Sequence, residues 1–181
     1  MPVGGDQLNG RHPLRLNLGF LLHQNVGFSR VFDFDHDRVP LGEDLLADRL
    51  QGELRFTRTG QGLYGQGDLM ISVPGECVRC LADFQQQLTV ELGDLFAYPP
   101  TEATDPLLAI PETAILDLTR LVRELALVAM PIRPICRERC KGLCPECGAD
   151  RNVVTCGHRQ EEVDPRLAAL EGFARPIVIR S

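Results

Sequence analysis

Four closely spaced ligand pairs constrain this chain more than anything else in it: Cys77-x2-Cys80, Cys136-x3-Cys140, Cys144-x2-Cys147 and Cys156-x-His158. Five of the seven cysteines fall in one stretch, CRERCKGLCPECGADRNVVTCGH, from Cys136 to His158. Two thiolates a few residues apart supply two corners of a tetrahedral metal site from one turn. Seven thiols and one imidazole therefore suffice for two structural zinc ions. An odd number of cysteines cannot pair completely into disulfides, so metal ligation accounts for the count better. Cys144-Pro-Glu-Cys147-Gly has the composition of a knuckle. Its chain reverses tightly, the glycine permits a positive φ, and backbone N–H groups can turn toward the sulfurs.

Two pairings are open. In one, Cys144, Cys147, Cys156 and His158 close a small ribbon, because only eight residues separate Cys147 from Cys156. Cys77 and Cys80 then join Cys136 and Cys140, stapling a hairpin to a helix end across a long loop. In the other, Cys77 and Cys80 join Cys144 and Cys147, and the remaining ligands are redundant. The first is preferred because it fills four corners twice. Filled sites leave no position for substrate, and HExxH, a glycine-rich phosphate loop and a nucleophile elbow are all missing. Cys77 and Cys80 lie between two strands, whereas an activated redox pair belongs at a helix N-terminus. Neither an enzyme nor a small-molecule substrate is expected.

The rest of the chain reads as α+β: an antiparallel β-meander, one packing helix and a zinc-knuckle C-terminal lobe. Short strands are expected at Leu14, Leu16 and Leu18 and at Phe32 and Phe34. Asp33, Asp35 and Asp37 lack the glycine and terminal glutamate of a calcium loop and read as a solvated strand face. Leu41, Leu45, Leu46 and Leu50 suggest a short helix over 41–50. The meander follows, with Leu54 and Phe56, a glycine-rich turn in TGQGLYGQG, then Leu69, Ile71 and Val73, and finally Leu88, Val90 and Leu92. Residues 99–112, rich in proline and acid, read as a surface loop. A helix is expected from Asp117 to Met130, capped by Asp117 and ended by Pro131. Its apolar face comprises Leu118, Leu121, Val122, Leu125, Val128 and Ala129. Asp164 and Pro165 would start a second short helix carrying Leu167 and Leu170. The expected division is a sheet domain over 1–131 and a cysteine-rich lobe over 132–181.

A hydrophobic content of 44% and a charged content of 24% are ordinary for a globular protein. No apolar run approaches the ~20 residues that span a bilayer. The start, MPVGGDQLNG, shows no secretory pattern, so a cytoplasmic protein with reduced thiols and no membrane partner is expected. A net charge of −6 does not announce a nucleic-acid binder. Between Arg133 and Arg159, six basic residues face three acidic ones, an excess that thiolate charge on two zinc ions offsets.

ECVRCL, then CKGLCPECGADRN, then DPRLAAL resemble the YceD family, the large ribosomal RNA subunit accumulation proteins, over about Leu54 to Leu170. By position, Cys77, Cys80, Cys140, Cys144, Cys147 and Cys156 match the family's cysteine pattern. His158 departs from it, standing where members of this branch commonly have cysteine. The resemblance implies a ribosome-biogenesis factor supporting large-subunit rRNA accumulation, with large-subunit rRNA or a pre-ribosomal protein as partner. The rival reading is a zinc-stabilised protein-interaction module without RNA contact.

Overall fold

The computed structural model describes residues 12–158. The chain divides into two units, Met1–Cys140 and Lys141–Ser181, and each is described by itself. In the first unit the order is β1 (Arg15–Asn17), α1 (Gly19–Leu22), β2 (Ser29–Pro40), β3 (Leu46–Thr59), β4 (Gly62–Glu76), β5 (Asp83–Ala97), β6 (Ile115–Asp117) and α2 (Thr119–Ala129). Strands β2-β3-β4-β5 form one antiparallel sheet in sequence order, and β1 pairs with β6. This is the α+β meander that the alternating pattern predicts, with Phe32 and Phe34 supplying a fourth, edge strand.

One face of the sheet is buried. Leu50, Leu54 and Phe56 of β3, Leu63, Leu69, Ile71 and Val73 of β4, and Leu88, Val90, Leu92 and Phe96 of β5 form its core. Leu121, Val122 and Ala126 of α2, with Leu118 just before it, close over it, the helix packing chiefly against β5. Gly65 leaves room for the neighbouring rings, since a Cβ there would lie 2.7 Å from Phe56 and 2.8 Å from Phe96. The two rings sit 5.6 Å apart, centroid to centroid.

Three sequence expectations change. Residues 41–50 are not a helix. The Leu41 amide donates to the Leu45 carbonyl in a turn, and Leu46 begins β3 opposite Pro40. Leucines four apart fit a helix face, but pairing with β2 offers the backbone a better set of partners. TGQGLYGQG is mostly strand: Thr59 pairs with Gly62, so only Gly60 and Gln61 turn. On α2, Ala126 is buried while Val128 is 85% exposed and Ala129 is exposed, so the buried stripe stops a turn before the helix end. The helix expected near 164–170 lies outside the described residues.

Asp117 stands one residue before the N-cap, which is Leu118, and still braces the start of α2, its carboxylate accepting from the Thr119 amide at 3.0 Å while pairing with Arg15 at 3.3 Å. Burial opposes ionisation of this carboxyl. The Thr119 hydroxyl and amide and the Arg15 charge outweigh it and hold its pKa below the ordinary value. Asp117→Ala should therefore cost about 1 kcal/mol at neutral pH in urea unfolding. A depressed pKa means this contribution is present above the unfolded carboxyl's pKa of about 4 and is lost as pH falls through the folded value. The gap between variant and wild type should close on acidification; a gap unchanged down to strongly acid pH would rule out the capping role.

The outer face of the sheet is acidic. Register places Asp33 opposite Glu53, Glu53 opposite Asp68, and Asp68 opposite Glu91, a carboxylate row crossing all four strands. All four are exposed, and among the described residues none has an ion-pair partner. Asp35 and Asp37, one and two rows away, are held by Arg49 at 2.8 and 3.5 Å.

Candidate metal centres

The first cluster lies where the β4–β5 hairpin turns. Glu76 and Asp83 are the last paired residues, leaving Cys77–Ala82 as the connection. The Cys77 amide donates to the Ala82 carbonyl at 2.9 Å, and the Leu81 amide donates back to the Cys77 carbonyl at 2.8 Å. Leu81 closes the turn with φ +57, a left-handed conformation that a leucine rarely takes. The segment after α2 is tied to this turn at two points. The Val78 amide donates to the Pro134 carbonyl at 3.0 Å, and the Arg79 guanidinium donates to the Cys140 carbonyl at 3.0 Å.

These contacts bring Cys77, Cys80, Cys136 and Cys140 together, with all four sulfurs within 4.8 Å of one another. Cys77 Sγ lies 3.8 Å from Cys140 Sγ, and Cys80 Sγ lies 3.7 Å from Cys136 Sγ. Cys77, Cys80 and Cys140 are buried and Cys136 is half-buried. Burial opposes ionisation of Cys77, but the Cys136, Cys80 and Arg79 amides directed at its sulfur bring its pKa down to about 6. Cys136 is pushed up to about 12 by burial and by the neighbouring thiols. At Cys80 the Ala82 amide lowers the pKa, yet burial and the adjoining thiols leave it raised. Crowded thiols cannot all ionise without a cation between them.

The second cluster, in the second unit, repeats the same turn. The Cys144 amide donates to the Ala149 carbonyl at 2.9 Å, and the Gly148 amide donates back to the Cys144 carbonyl at 2.8 Å. Gly148, at φ +69, occupies the place that Leu81 holds in the first knuckle. Asp150 accepts from the Asn152 amide at 2.8 Å, and the Asn152 side-chain oxygen accepts from the Lys141 amide at 2.8 Å, closing the loop that follows. The ligand atoms of Cys144, Cys147, Cys156 and His158 all lie within 4.8 Å of one another. This cluster is more open: Cys144 is buried, Cys156 half-buried, and Cys147 and His158 exposed. The Cys147 and Glu146 amides bring Cys144 down to about 6, while the Cys144 thiol and burial raise Cys156.

The structure thus gathers all eight candidate ligands into two sets of four, and each set can hold a metal ion. Each set lies within one unit and corresponds to the first of the two pairings that spacing leaves open. Sequence reasoning missed Glu146, whose carboxylate lies 3.6 Å from His158 Nε2, and Arg79, which reaches Cys140. Both lie inside the Cys-x2-Cys spacers, a position that spacing alone does not distinguish from solvent-facing filler. Among the described residues no helix is long and apolar enough to cross a membrane.

The stretch bearing both knuckles is also where known proteins match. An uncharacterized protein of Mycobacterium tuberculosis H37Rv is 31% identical over 174 residues, covering 91% of this chain and 83% of the relative. The uncharacterized protein YlbN of Bacillus subtilis is 34% identical over 97 residues, 52% of this chain and 56% of that protein. The chloroplastic large ribosomal RNA subunit accumulation protein YCED homolog 1 of Arabidopsis thaliana is 37% identical over 54 residues, 30% of this chain and 17% of that protein. No solved structure matches the chain. The profile of the large ribosomal RNA subunit accumulation protein YceD matches residues 65–174, from β4 through both cysteine clusters, and the chain belongs to the YceD family.

Proposed function

We propose that this chain is a non-enzymatic ribosome-biogenesis factor that supports accumulation of large-subunit rRNA, its two cysteine clusters each holding a structural zinc ion. The observation that carries the role is the family match across residues 65–174, which spans both clusters. Zinc is supported by the donor set and its spacing. Zinc–sulfur bonds of about 2.3 Å at tetrahedral angles put neighbouring sulfurs about 3.8 Å apart. The separations of 3.8 and 3.7 Å in the first cluster agree with that edge. Bound zinc supplies no chemistry here beyond holding its four ligands. Cys77, Cys80, Cys136 and Cys140 hold the hairpin to the segment after α2, and Cys144, Cys147, Cys156 and His158 hold the ribbon.

Charge distribution supports an RNA contact at the cysteine-bearing end of the first unit. Arg133, Arg137 and Arg139 are exposed there, whereas the carboxylate row on the outer sheet face repels phosphate. The same row favours the second reading, a protein-interaction module whose partner is cationic. Depletion in cells should lower large-subunit rRNA relative to small-subunit rRNA, and an unchanged ratio counts against the biogenesis role. Crosslinking separates the two readings. RNA crosslinks that vanish when Arg133, Arg137 and Arg139 become alanine support RNA contact; crosslinks to protein alone support the second.

A further inference from the structure

We propose that Glu146 is a positioning residue for the ion of the second cluster: its carboxylate accepts the Nε2–H of His158 and holds the ring in the tautomer that offers Nδ1 to the metal. This inference rests on the zinc reading above.

His158 is the one imidazole among the eight ligands. A thiolate presents the same atom from every side, but an imidazole has two nitrogens and must be both turned and protonated correctly. Its side chain is 46% exposed, so little packing selects an orientation. What selects it is the pair of neighbours on its two nitrogens. Nδ1 lies 3.9 Å from Cys144 Sγ, on the cluster side, and Nε2 lies 3.6 Å from Glu146 Oε2. That second distance is within ion-pair reach and a small side-chain rotation short of a hydrogen bond.

Glu146 is itself held by the knuckle. It sits between Cys144 and Cys147, and its own amide points at the Cys144 sulfur. One residue thus directs its backbone at a thiolate ligand and its side chain at the rear of the histidine ligand. An acceptor behind a metal-bound histidine fixes the tautomer and raises ligand basicity, and its loss typically lowers metal affinity about 10–100-fold.

A double-mutant cycle on the full chain tests this, with zinc affinity read by competition against a chromophoric chelator. Glu146→Ala should weaken one of two zinc ions by about 10–100-fold. Glu146→Gln, which keeps an acceptor oxygen without the charge, should recover part of the loss. In a His158→Cys background, where no ring needs orienting, Glu146→Ala should leave affinity unweakened. Ring nitrogen shifts from 15N NMR of the zinc-loaded chain should identify Nδ1 as the bound nitrogen. Equal losses in the histidine and cysteine backgrounds, no loss in either, or coordination through Nε2 would each overturn the proposal. A wild-type chain binding fewer than two zinc ions would instead overturn the zinc reading beneath it.

Discussion

Replacing Cys77 with serine should lower the zinc content of the full chain from two ions to one and the melting temperature of the first unit by more than about 10 °C. The size follows from what this cluster closes. It joins positions 56 and 63 residues apart, and a metal clip across so long a loop removes much of the entropy of the unfolded chain. It also holds the segment after α2 in place, because the Val78 and Arg79 contacts are made by the same turn. Cys144→Ser is the matched control. It should also remove one zinc ion, yet leave the melting of the first unit unchanged, since every ligand of its cluster lies beyond Lys141. Metal analysis by mass spectrometry and calorimetry of both variants would check this. Two zinc ions retained in Cys77→Ser would refute the assignment of the first site.

Gly52→Ala should prevent the sheet from forming in its present register. Gly52 has φ +145, in a region closed to L side chains, and a Cβ there would lie 2.1 Å from the Asp68 carbonyl oxygen. Gly67, also at φ +145, stands in the mirror position, where a Cβ would lie 2.2 Å from the Glu53 oxygen. The two glycines flank the paired Glu53 and Asp68 and let β3 and β4 approach there. Strain at such a backbone costs about 1–3 kcal/mol before any clash, and the clash is with backbone that cannot rotate away. A loss above about 4 kcal/mol is therefore expected for either alanine, enough to unfold many domains of this size. Gly93→Ala tests the reasoning from the other side. Its Cβ would meet only the Tyr64 hydroxyl at 3.7 Å, an ordinary contact, so it should be within about 0.5 kcal/mol of wild type. Equal effects at Gly52 and Gly93 in denaturant unfolding would refute the argument.

The carboxylate row shows how far a local pattern reaches. Asp33, Asp35 and Asp37 are visible as an alternating acidic face in the sequence. That Asp33 lines up with Glu53, Asp68 and Glu91 depends on three separate strand registers, and a shift of one residue in any of them breaks the row. The leucines of 41–50 form no helix for a related reason. Side chains four apart satisfy a helix, but they also satisfy a buried turn followed by a strand, and the choice belongs to β2, which supplies the hydrogen bonds. TGQGLYGQG reads as a turn because glycine serves both reversal and close approach. Only the Phe56 and Phe96 rings around Gly65 show that it serves the second here.

What the chain's own order of residues determines is whatever is set within a few positions: the Cys-x2-Cys knuckles, the alternation of the β3, β4 and β5 strands, and the cap and apolar stripe of α2. These follow from bond geometry and period, which are local, although the stripe is buried only as far as Ala126 and the helix begins one residue after Leu118 rather than at Asp117. Tertiary structure alone decided that the Val78 amide meets the Pro134 carbonyl and that Leu81 is held at φ +57 where the second knuckle has glycine. It also decided that Glu146 stands behind His158. Each of these depends on the direction in which a side chain or a turn points once distant segments pair. Spacing counts residues and carries no direction, so the ligands and the preferred grouping of their pairs were legible, and the turns and side chains that orient them were not.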